Sequence, residues 1–215
     1  MVNGYLIYHP RRTISTFESV TVYHDSIGGN QDPYIWNKSF LHTYCHITQM
    51  SPQIGDMNFW VSGDTFPHFS HLYCDLVFLV TEKIYWGNAN VITRDDQIVD
   101  SDEAYIDHYS WAKYHHPFKR RRRFTLKADP ERSFQPQTAE RKLIDILPFL
   151  IKQGLSLEDV RRGLRAGFGS KPLRLGDLVT QLYGWLDQMT VNKLYGTQLY
   201  KIRQNNPCLA SSAQI

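Results

Sequence analysis

At 215 residues, with 42% apolar and 13% aromatic side chains, the chain is long enough for one sizeable core, and its 21% charged residues exclude a disordered polymer. A net charge of +3 says little about partners, and no run nears the roughly 20 apolar residues that span a bilayer, so a cytoplasmic protein without membrane contact is expected. The three cysteines, Cys45, Cys74 and Cys208, form no CxxC pair, which excludes a disulfide framework and leaves reduced thiols.

In chain order, six segments read as strands: Gly4 to His9, Ser19 to His24, Leu41 to Thr48, Met57 to Gly63, Tyr73 to Trp86 and Arg121 to Ala128. Each is short, rich in β-branched and aromatic residues, and bounded by Gly, Pro, Asn and Asp. Asp25 to Pro33 is a loop, and Asp129 to Thr138, "DPERSFQPQT", reads as a linker. From Ala139 the period changes to about 3.6. Leu143, Ile144, Leu147, Leu150 and Ile151 predict a first helix that Pro148 kinks or restarts. A second follows the near capping box Ser156 to Asp159, with Leu157, Val160, Leu164 and Phe168 on one face. A third carries Leu175, Leu178, Val179, Leu182, Trp185, Leu186 and Met189. Strands first and helices afterwards predict an α+β protein: a compact mixed sheet or β-barrel over 1–137, a helical extension over 138–206 and a flexible tail over 207–215. There is no GxGxxG and no GxxxxGK[ST], so a Rossmann or P-loop nucleotide site has no support.

The stretch "IGDMNFWVSGDTFP", Ile54 to Pro67, is the first candidate site. Gly55-Asp56 makes a tight turn, and alternation places Phe59 and Val61 on one face of the following strand and Trp60 and Ser62 on the other. A Trp beside a hydroxyl offers a stacking face and an edge contact, which is what an extruded base needs. The bland reading makes Trp60 a core residue. Ile54 to Trp86 resembles the middle of PUA-like domains, the superfamily of the EVE, ASCH and YTH groups and of nucleotide-modification-associated domains, in which a GD turn precedes an aromatic strand and an apolar strand follows. The resemblance implies a small β-barrel flanked by helices that binds nucleic acid and reads a modified or flipped base. It carries over to Gly55, Asp56, Trp60 and Ser62, with Trp36, Trp86 and Trp111 as further cage walls on residue type alone.

Lys119, Arg120, Arg121, Arg122 and Arg123 form the second candidate. Alternation sends about half of them to solvent, where guanidinium groups suit phosphates; a charged edge strand is the structural alternative. Third, His46-Ile47-Thr48 and His108-Tyr109-Ser110 resemble the paired triplets of 2H phosphoesterases, which implies an acid and a base acting on a phosphodiester while the hydroxyls hold the phosphate. Histidine pairs such as His42/His46 and His68/His71 supply metal-ligand types, but in segments that read as strand or loop, so no metal and no cofactor is expected. The second and third helices could form a helix-turn-helix, with Arg161, Arg162 and Arg165 as a basic face, or dock a protein partner. The favoured reading is a nucleic-acid-binding module for DNA or RNA; a phosphodiesterase and a protein-interaction subunit are the alternatives.

Overall fold

The computed structural model describes residues 2–9, 13–24, 42–43, 52–85, 124–164 and 172–205. Among them are eleven strands: β1 (Gly4–His9), β2 (Thr13–Phe17), β3 (Val20–His24), β4 (His42–Thr43), β5 (Met57–Gly63), β6 (Leu72–Tyr85), β7 (Phe124–Ala128), β8 (Phe134–Gln137), β9 (Ile144–Asp145), β10 (Leu173–Arg174) and β11 (Asn192–Tyr195). Four helices join them: α1 (Leu147–Lys152), α2 (Leu157–Gly163), α3 (Leu178–Met189) and α4 (Gly196–Asn205).

The protein is α+β, with one large, mostly antiparallel sheet and helices toward the C-terminus. Its main path runs β10-β1-β5-β6-β7-β4, with β8, β9 and β11 joined alongside, and β1 with β5 is the parallel pair. The two ends of this path stay apart, so the described residues form no closed barrel. The 14-residue β6 is the spine: it pairs with β5, β9 and β8 and, from Val80 on and across a register shift between Val80 and Glu82, with β7.

Alternation along β1, β5 and β6 builds two faces. Leu6, Phe59, Val61, Cys74 and Val77 point to one side and share a single core with Leu147 and Leu150 of α1, Val160 of α2 and Val179, Leu182 and Leu186 of α3. Trp60, Asn58 and Ser62 point to the other side, as the pattern predicts. A shift between Trp60 and Val61 leaves Asp75 as the extra residue of β6, since Trp60 faces Leu76 and Val61 faces Cys74.

Three segments depart from the sequence expectation. The expected linker contains β8, all four residues of which are buried; Phe134 enters the core while Gln135 and Gln137 face the polar side. Leu143 and Ile144, which match helical spacing, belong to a bridge and to β9, and the helix starts where Pro148 can occupy its first turn. Strand β2 was not expected. Its hairpin closes through Glu18 and Ser19, both at positive φ (45° and 72°), a two-residue turn that sequence usually announces with Asn-Gly.

The helical extension expected over 138–206 is no appendage to the core. Its helices fill one side of it, β10 pairs with β1, and β11 pairs with β8. The expected tail over 207–215 lies outside the described residues.

Candidate ligand cleft

The described members of the first candidate site lie apart, Asp56 just before β5 and Trp60 and Ser62 on it. Asp56, 3% exposed, accepts from the Asn3 backbone N–H (3.0 Å), from Asn3 Nδ2 (3.2 Å) and from the Gln53 backbone N–H (2.9 Å). It fastens the entry of β5 to the start of β1. Ser62 lies six residues on, about 20 Å along an extended strand, and its hydroxyl donates to Asp75 Oδ1 at 2.8 Å. Trp60 between them has no exposed surface. The expectation of one contact set made by Asp56, Trp60 and Ser62 is therefore corrected: Asp56 is a clamp of the fold at the far end, and Trp60 shows no ring face to a ligand, because both faces of β5 are covered. His46, Thr48, His108, Ser110, Lys119, Arg120, Arg121, Arg122 and Arg123 lie outside the described residues, as do Trp36, Trp86 and Trp111.

At the Ser62 end the structure builds a cleft of about 380 Å³. Ser62, Gly63 and Asp64 line it together with Tyr73, the partner of Ser62 on β6; Lys142 and Leu143 come from the connection into β9, and Ile14 and Tyr23 come from the β2–β3 hairpin. The hairpin is held in place by amide side chains. Gln135 accepts from the Tyr23 backbone N–H through Oε1 (2.9 Å) and donates through Nε2 to the Tyr23 carbonyl (2.8 Å), pairing with β3 as a neighbouring strand would. Gln137 Nε2 donates to the Thr21 carbonyl at 2.8 Å, and the Tyr23 hydroxyl donates to the Arg141 carbonyl at 3.1 Å. Burial raises the pKa of the Tyr23 phenol, so it stays a neutral donor.

Beside the cleft stands a histidine–carboxylate pair. His71 Nδ1 lies 2.8 Å from Asp145 Oδ2, while Asp145 Oδ1 accepts from the backbone N–H groups of Leu72 and Leu147, each at 3.0 Å. One carboxylate thus ties the start of β6, the start of α1 and the imidazole together. The ring stacks on Tyr73, with centroids 5.8 Å apart and planes at 20°. The hydrogen bond that His71 donates to Asp145 raises its pKa most, and the charges of Asp145 and Asp64 add to it. Asp64 accepts from the backbone N–H groups of Ser70 (2.7 Å) and His71 (3.0 Å), and these bonds, the His71 one foremost, hold its carboxyl below the usual range. Residue-type reasoning singled out His71 only as a metal-ligand type. Its partner 74 positions away left no local signal.

Among the described residues no group of three His, Cys, Asp or Glu side chains is placed to hold a metal. Cys74 is a free, buried thiol, its pKa pushed well up by burial. The helix-turn-helix expectation is also corrected: β10 intervenes between α2 and α3 and pairs with β1, and the Arg161 guanidinium donates to the carbonyls of His68 and Phe69. No helix among the described residues is long and apolar enough to cross a membrane. Comparison with protein-family models, with curated proteins and with solved structures finds no match.

Proposed function

We propose that the protein is a cytoplasmic nucleic-acid-binding module whose cleft, between the β2–β3 hairpin and the adjoining ends of β5 and β6, holds one unstacked base, including a modified one. The observation that carries this reading is the cleft itself. Its volume of about 380 Å³ falls within the range of small-molecule sites, and it combines the rings of Tyr23 and Tyr73 with a polar wall at Ser62 and Asp64. A flat heterocycle with donors and acceptors on its edge is the ligand such walls suit, by stacking and by hydrogen bonding. The role first expected of Trp60 passes to the tyrosines, and Ser62 keeps its place at the site. The Lys119 to Arg123 run supplies phosphate contacts that do not depend on sequence. The PUA-like layout of Ile54 to Trp86 supports the same reading, and a protein partner on the C-terminal helices is compatible with it.

The test is a titration of single- and double-stranded DNA and RNA, with and without common base modifications, at two salt concentrations. Salt-sensitive binding is expected, and Tyr73→Ala should cost about 1 to 3 kcal/mol of affinity, the range of one lost base–aromatic stack. Folded protein that binds none of the ligands, or a Tyr73→Ala variant of unchanged affinity, would overturn the proposal. Assaying the same samples for cleavage tests the phosphodiesterase alternative. Turnover abolished by His46→Ala or His108→Ala would replace the binding module with an enzyme.

A further inference from the structure

We infer that the rim of the cleft is a phosphate site, at which His71 Nε2 and the Lys142 ammonium hold the phosphodiester attached to a base seated against Tyr73. The inference rests on the cleft being a base pocket, and it deepens that reading. It follows from which polar groups the fold has already used. Asp64 and Asp145 each accept two backbone N–H groups, the Ser62 hydroxyl donates to Asp75, and the Tyr23 hydroxyl donates to Arg141. Two donors remain. His71 has its Nδ1 engaged and 54% of its side chain exposed, and neither its Nε2 nor Lys142 Nζ has a hydrogen-bond partner among the described residues. Tyr73 links them: the imidazole stacks on its ring, and Lys142 lines the cleft that Tyr73 also lines.

A Lys142 ammonium and a protonated His71 ring, each with an N–H donor unspent, call for an acceptor that carries negative charge. The anion that accompanies a base is its own backbone phosphate. The charged groups facing His71 are Asp145 on β9, Asp64 at the end of β5 and, from α2, Arg161, which is bound to the carbonyls of the same loop. Glu140 faces Lys142. Because Asp145 and then Asp64 raise the His71 pKa, the doubly protonated ring persists to higher pH than a free histidine does. The His71 share of the phosphate contact is therefore complete below the raised pKa and is lost as pH rises through it, while the Lys142 share persists.

The experiment compares a short single-stranded oligonucleotide with the same sequence built on uncharged methylphosphonate linkages, each titrated from about pH 5 to 8, where histidine changes charge. The charged ligand should weaken roughly fivefold across this window, the equilibrium equivalent of one exposed ion pair at the top of its usual range. His71→Gln, confirmed folded by circular dichroism, should remove the pH dependence, and Lys142→Ala should weaken the charged ligand at every pH. The methylphosphonate ligand should show neither effect. Tyr73-dependent binding that is flat with pH, or pH dependence that survives His71→Gln, overturns the phosphate site and leaves the base cleft standing. Failure of both ligands to bind at any pH overturns the base cleft, and the phosphate site with it.

Discussion

Asp56 and His71 illustrate how residue type and residue role part company. Asp56 sits in a GD turn and looks exposed by sequence, yet its carboxylate receives three donors from Asn3 and Gln53 and is almost fully buried. Removing it strands two backbone N–H groups at the junction of β1 and β5. Asp56→Ala should cost about 2 to 4 kcal/mol of stability, since hydrogen bonds to a charged acceptor are the strong ones and their orphaned donors add a penalty. A shift of the denaturation midpoint without loss of ligand affinity would support this. An unchanged midpoint would show that the turn holds without its clamp. His71 is the reverse case: a residue that reads as one of nine histidines becomes an oriented imidazole once Asp145 takes its Nδ1, with an Nε2 that donates when the ring is protonated.

At the scale of elements, the hairpin β2–β3 shows how a marginal unit is kept in place. It forms its own two-stranded sheet, and a lone hairpin in water is barely stable. Gln135 compensates by bonding both backbone groups of Tyr23 from a buried position, and Val22 is fully buried beside it. Gln135→Leu keeps the bulk of the side chain and removes both bonds to Tyr23, together with the one to the Asp75 carbonyl and the one received from Gln137 Nε2. It should cost about 2 to 3 kcal/mol, each bond lost to Tyr23 leaving a partly buried backbone group unpaired. Faster hydrogen exchange confined to residues 13–24, with weaker ligand binding because Ile14 and Tyr23 leave the cleft wall, is the expected result. Uniform acceleration across the sheet would mean that Gln135 supports the whole fold rather than the hairpin. Strand β8, which carries Gln135, reads as a linker in the sequence because Pro136 and two glutamines break every strand signal. The strand is specified by what its side chains meet, Phe134 in the core and the glutamines against β3.

For the molecule as a whole, the helices and the sheet cannot be separated. Leu6, Phe59, Val61 and Val77 are covered by Leu147, Leu150, Val160, Val179, Leu182 and Leu186, and burying each such side chain is worth roughly 1.5 to 3 kcal/mol. Against the 5 to 15 kcal/mol of a typical fold, losing that cover is decisive. A fragment of residues 1–137 should show no cooperative thermal transition by circular dichroism, whereas the full chain should. A cooperative melt of the fragment would restore the boundary expected at 137/138.

The local patterns were sufficient for β1, β5 and most of β6, whose alternation and bounding turns are complete within each segment, and for the start of α2, where the Ser156 hydroxyl accepts from the Asp159 N–H as the near capping box predicts. They also placed Trp60 and Ser62 on the face opposite Phe59 and Val61. Tertiary structure alone decided that Trp60 is covered, that the helices complete the core, and that His71 meets Asp145 and the hairpin meets Gln135. The physical reason is range. A strand or a cap is written in residues one to four apart, whereas the cleft is assembled by hydrogen bonds between residues 74 and 112 positions apart, whose partners are fixed by the packing of the sheet.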